Sequence, residues 1–69
     1  MKEYELQVLL RKQESYGLAE WHESTTVDAK TMAQAKKLAW EFARIEADLA
    51  DAKITDAYAI DLETSEQSQ

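Results

Sequence analysis

From Glu3 to Lys12 the apolar residues Tyr4, Leu6, Val8 and Leu10 alternate with Glu3, Glu5, Gln7 and Arg11. A period of two residues is the mark of a strand with one buried face. The sole glycine, Gly17, lies in the following stretch Gln13–Leu18, where a residue tolerant of positive φ suits a hairpin loop. A second strand is predicted from Ala19 to Ala29, with Trp21, Thr25 and Val27 on one face and Glu20, His22, Ser24, Thr26 and Asp28 on the other. Glu23 falls on the apolar side, and an inward-pointing charge protects an edge strand from pairing with another chain. The period then changes. Thr31 followed by Gln34 forms a capping box, and Ala35, Leu38, Phe42, Ile45 and Leu49 recur at helical spacing, with Ala39 filling the stripe. The helix is expected from about Met32 to about Asp51, with this stripe packed on a sheet. Ile54, Tyr58, Ile60 and Leu62 alternate with Thr55, Ala57, Ala59, Asp61 and Glu63 to predict a third strand whose apolar face joins Leu6 and Val8 in the core.

The order strand, strand, helix, strand describes an α+β chain of ββαβ type. A right-handed crossover places the third strand beside the first, giving a three-stranded antiparallel sheet of order 2-1-3 with one helix on one face. Residues 1–64 are read as a single domain and residues 65–69 as a flexible tail with nothing to bury. A hairpin centred between Ser15 and Tyr16 pairs Glu3 with Asp28 and Arg11 with Glu20 on the open face. The expected register of the third strand pairs Tyr4 with Leu62 and Leu6 with Ile60 in the core. It then sets Glu3 beside Glu63 and Glu5 beside Asp61 outside. Asp28, Glu3, Glu63, Glu5 and Asp61 would thus gather at one end of the open face. Like charges directly opposite one another destabilise a sheet, and a chain this small has reason to avoid them unless the cluster serves a function. Glu3 and Glu5 stand two strand steps, roughly 6.7 Å, apart, a spacing of the order of neighbouring phosphates in a nucleic-acid backbone.

Charge sharpens this reading. Fourteen acidic residues against eight basic ones give a net charge of −6. The acids and bases balance as far as Ile45, whereas Glu46, Asp48, Asp51, Asp56, Asp61, Glu63 and Glu66 face only Lys53 beyond it. Direct binding to nucleic acid is disfavoured, because that affinity comes from Lys and Arg neutralising phosphates, and the expected partner is a basic protein. Glu46, Asp48 and Asp51 crowd the end of the helix where its dipole favours cations, which makes them candidate partner-binding residues beside the sheet acids. Trp40 lies almost opposite the Leu38 stripe on a helical projection, so the outer helix face around it is a second candidate surface, for a regulatory or adaptor module.

The chain has no cysteine and a single histidine, His22, expected as a polar strand residue opposite Leu9. No zinc ligand set, phosphate-cradling loop or catalytic pair follows from this composition. The carboxylates lie on straight strands and not on the wrapping loop of a calcium site. A non-enzymatic chain without cofactor or metal is therefore expected. There is no apolar signal core or membrane span, so a cytoplasmic monomer is expected too. Val27-Asp28-Ala29-Lys30-Thr31-Met32-Ala33-Gln34-Ala35-Lys36 resembles the strand-to-helix turn of many very small phage and bacterial α/β proteins, some type I anti-CRISPR proteins among them. Size, acidity and the sheet-plus-helix plan are similar to those of inhibitors that imitate DNA. The resemblance implies a phage protein in the host cytoplasm that blocks target-DNA binding by a CRISPR effector complex, of type I-C for example.

Overall fold

A computed structural model of the chain describes residues 1–67 and contains β1 (Lys2–Glu14), β2 (Gly17–Ala29), α1 (Met32–Ala50) and β3 (Lys53–Asp61). Ser15 and Tyr16 alone separate the two strands of the hairpin, whose last pair is Glu14 with Gly17. Gly17 adopts φ 133°, a conformation that L side chains rarely take. The tight loop fixes the register, and Glu3 faces Asp28, Tyr4 faces Val27 and Arg11 faces Glu20 as the alternation predicts. The sheet order is β2-β1-β3, both pairings are antiparallel, and one helix packs on the sheet, so the chain is an α+β protein of ββαβ topology.

The helix begins where its cap dictates. Thr31 Oγ1 accepts from the Gln34 backbone N–H at 3.1 Å, and Gln34 Oε1 accepts from the Lys30 N–H at 2.8 Å. Its packing face differs from the expected one. Ala35, Ala39, Ala43 and Ala47 are the buried residues of α1, whereas Leu38 and Phe42 are half-buried and Ile45 and Leu49 are 59% and 78% exposed. The helix is thus turned about its axis by roughly 100°, the angle of one residue, relative to a helix that centres the Leu38–Leu49 stripe. The reason is volume. Tyr4, Leu6, Val8 and Leu10 of β1 are all buried and fill the space above the sheet, and Ala57 and Ala59 of β3 are buried beside them. Large side chains from the strand and small ones from the helix complement one another, as the close packing of protein interiors demands.

The third strand departs from its expected register by one residue. Leu6 faces Ala59 and Tyr4 faces Asp61, where Ile60 and Leu62 were expected. Because side chains alternate with period two, a one-residue slip turns every residue over: Ala57, Ala59 and Asp61 face the helix, and Tyr58 and Ile60 face the open side. The register shifts again between Leu9 and Leu10, leaving Thr55 as the extra residue of a β-bulge. The bulge returns Ile54 to the helix side, opposite Leu10, where it packs against the core.

Asp61 is accordingly buried, at 5% exposure, and it organises the turn that follows. Its Oδ1 accepts from the Glu63 N–H at 2.9 Å and the Thr64 N–H at 3.4 Å, its carbonyl accepts from the Ser65 N–H at 2.7 Å, and Lys2 Nζ lies 3.4 Å from Oδ2. The chain then folds back, the Asp61 N–H donating to the Glu66 carbonyl and Gln67 bridging to Ile60 on the outer edge of β3. The segment expected as a flexible tail is tied down as far as Gln67, while Ser68 and Gln69 lie outside the described residues.

Two expectations follow. Ala43→Leu forces a large side chain into the helix–sheet contact and should destabilise the domain by about 1–3 kcal/mol, measured by urea unfolding; a neutral effect would mean that the alanine row is not the packing face. The Asp61 carboxyl is held below its ordinary value of 3.8, chiefly by the Glu63 N–H, with burial opposing and the Thr64 N–H and Lys2 assisting. A depressed folded-state pKa adds stability that is present above the unfolded value and lost as pH falls through the folded one. Unfolding midpoints should therefore decline below about pH 4 in the parent, and Asp61→Asn should be less stable at pH 7 with a shallower acid limb.

Candidate partner-binding surface

Among the described residues no element packs on the face of the sheet away from α1, and the two strand registers determine what lines it. Glu3 stands opposite Asp28; Glu5 lies between Thr26 and Ile60; Gln7 between Ser24 and Tyr58; Leu9 between His22 and Asp56; and Arg11 between Glu20 and Lys53. Leu9, Tyr58 and Ile60 are half-buried and form an apolar centre, and Glu3 and Asp28 are exposed at one end. Gln7 Nε2 donates to Glu5 Oε1 at 2.7 Å, which orients that carboxylate along the strand.

The predicted cluster of five acids is divided. Glu3 and Asp28 are directly opposite, at the separation of about 4.5–5.5 Å usual for cross-strand Cβ atoms. Glu5 neighbours Ile60 and not Asp61, because the slip of β3 carries Asp61 to the helix side. Asp61 is therefore withdrawn as a partner-binding residue: its carboxylate is spent on the Glu63 and Thr64 amides and on Lys2. Glu63 lies beyond the end of β3, exposed, in the turn that Asp61 holds. Among the described residues no ion pair reaches Glu3, Glu5, Asp28 or Glu63.

On the helix, Asp48 and Asp51 are exposed and Glu46 is half-buried. Arg44 makes no ion pair with Glu41 or Asp48 among the described residues. Asp51 is the C-cap and sits in the left-handed region at φ 53° and ψ 47°, with the Ala52 N–H closing onto the Ala47 carbonyl at 2.9 Å. Trp40 is half-buried and packs against the core cluster, so it is not the outward anchor that the helical projection suggested. Turning the helix onto its alanine row brings Trp40 down beside the sheet. Sequence reasoning missed Tyr58 and Ile60 as open-face residues. Their alternation with alanines reads equally well in either phase, and only the pairing of Ala57 and Ala59 with the helix alanines hints at the correct one.

Beyond the helix C-terminus the hairpin overshoots the rest of the fold, and a cleft of about 500 Å³ opens between Arg11, Lys12, Gln13, Leu18, Asp51 and Lys53. Lys12 lies 3.9 Å from Glu14, and none of the lining residues is buried. Among the described residues no three His, Cys, Asp or Glu side chains are placed to share a metal ion, and no helix is long and apolar enough to cross a membrane.

Asp51 places an acid at the negative end of the helix dipole and a Cβ in a conformation suited to glycine, both unfavourable. Asp51→Gly should raise the stability of the domain by about 1 kcal/mol, read from urea midpoints; an unchanged or lower midpoint would show that the aspartate is held there by a stabilising contact.

No protein-family model, no curated protein and no solved structure matches this chain.

Proposed function

We propose that the chain is a non-catalytic acidic binding protein whose open sheet face enters a Lys/Arg-lined nucleic-acid site on a protein partner. It does so as a DNA mimic, in the manner of the small phage anti-CRISPR proteins that its sequence resembles. The observation that carries this reading is the Glu3–Asp28 pair, two exposed carboxylates directly opposite one another with no ion pair to either among the described residues. Such a pair lowers the stability of the sheet, and a domain of 69 residues has little stability to lose. A cationic partner site would turn the unfavourable repulsion into attraction, accelerating association and favouring the correct partner through matched charge. Glu5 and Glu63 extend the acidic end, and Leu9, Tyr58 and Ile60 supply the apolar centre of a protein contact. The adaptor reading built on Trp40 finds no support in a half-buried indole.

A type I-C effector complex titrated against its target DNA in a gel-shift assay tests the proposal. Added protein should block DNA binding, less so as salt rises, and Glu3→Lys with Asp28→Lys should abolish the block while the far-UV spectrum and melting remain those of a folded domain. Glu41→Lys with Asp48→Lys, an equal charge change on the helix, should have the smaller effect. Retained inhibition by the sheet variant, or no effect of the parent protein on DNA binding, would overturn the proposal.

A further inference from the structure

The stripe that the helix leaves only partly covered is itself organised. Leu38, Phe42, Ile45 and Leu49 follow steps of four, three and four residues, the heptad spacing of a helix–helix seam. Ile45 and Leu49 are among the most exposed large apolar side chains of the protein. The helix lies over β1 and β3 and meets β2 least. With the right-handed crossover of a β–α–β connection, the Leu38 side of a right-handed helix running from β2 to β3 overhangs β2, and the Trp40 side overhangs β3. The helix-facing residues of β2 are partly uncovered to match: Ala29 is buried and Val27 packs against the core, but Trp21 is half-buried and Glu23 and Thr25 are exposed. At about 1.5 Å per helical residue and about 3.3 Å per strand residue, Ile45 stands level with Glu23 and Leu49 level with Trp21. A groove about three helical turns long, from Leu38 to Leu49, therefore runs between the helix flank and β2.

Charge identifies what fits it. Glu41 and Asp48 line the solvent side of the seam, and Glu23 stands on the floor opposite. A second copy of this chain would bring Glu41 and Asp48 against their own counterparts on a molecule of net charge −6, which opposes self-association. We infer that the groove between α1 and β2 docks a cationic amphipathic helix of another protein. Its apolar residues, at i, i+3 or i+4 and i+7, would pack on Leu38, Phe42, Ile45 and Leu49, and its flanking Lys or Arg side chains would meet Glu23 on one side and Glu41 and Asp48 on the other. The occupant supplies the second helix that the sheet lacks over β2. Glu23, a charge on the core side of an edge strand, then both blocks strand addition and receives a cation. This surface lies across the sheet from the open face and does not depend on DNA mimicry.

The probe is a fluorescein-labelled helical peptide of about four turns with Leu at its a and d positions and Lys at e and g, compared by anisotropy with a twin carrying Glu at e and g. The Lys peptide should bind and the Glu peptide should not. Ile45→Ser with Leu49→Ser, which leaves net charge unchanged at two exposed positions, should weaken binding roughly tenfold or more, as loss of apolar anchors does; Leu49→Ser alone serves if the double variant is unfolded. Glu3→Gln with Asp28→Asn, which removes as much charge from the opposite face, should alter binding by less than about twofold. Equal binding by the serine variants would overturn the inference by showing that the peptide is held by acidity alone. A concentration-dependent dimer in sedimentation, lost in the serine variants, would overturn it by making a second copy the occupant. Neither result bears on the Glu3–Asp28 test, which reads DNA binding by the effector.

Discussion

The close contact between one row of alanines on α1 and the two strands beneath it organises the rest of the molecule. Ala35, Ala39, Ala43 and Ala47 present almost no side-chain bulk, so the helix backbone can approach the sheet. The volume that a core needs comes instead from Tyr4, Leu6, Val8 and Leu10 of β1. A helix seated this closely leaves room beneath its middle only for small side chains of β3, Ile54 reaching the core nearer the helix end. Ala57 and Ala59 fit beneath it, whereas Tyr58 and Ile60 in their place would lift the helix and open voids whose lining atoms lose their contacts. Helix rotation and β3 register are therefore two expressions of one packing solution.

Several apparently separate features follow from that solution. The slip of β3 requires the bulge at Thr55 if Ile54 is also to reach the core. It carries Asp61 to the covered side, where a lone carboxylate would be costly without partners, and the turn amides of Glu63 and Thr64 together with Lys2 provide them. The same turn brings Gln67 back against Ile60, covering part of the outer edge of β3. Among the described residues β2 at the other edge receives no such cover.

A small domain that buries alanines and exposes leucines has spent little of its apolar surface on its own core. Two surfaces result. The open sheet face combines Leu9, Tyr58 and Ile60 with the Glu3–Asp28 pair, and the groove beside β2 combines the Leu38–Leu49 seam with Glu23, Glu41 and Asp48. Both have an apolar centre and an acidic margin, the arrangement by which a protein contact gains affinity from burial and partner choice from charge. Occupation of either surface would add stability, since any ligand of the folded state draws the folding equilibrium toward it.

The sequence by itself determined the elements, their order, the hairpin register and the helix start, because each rests on local chemistry: alternation in β1, a two-residue loop before Gly17, and the Thr31–Gln34 cap. It also determined the opposition of Glu3 to Asp28, which follows from that loop. Tertiary structure alone decided which face of α1 is buried and in which phase β3 pairs. Alanine is compatible with either environment, so a helix carrying both an alanine row and a leucine row, and a strand alternating alanine with larger residues, each have two readings locally. The choice is made by the summed volume of side chains from three elements that are far apart in the chain. Asp61, Trp40, Tyr58 and Ile60 took their places through that choice, and no pattern within a single element could have assigned them.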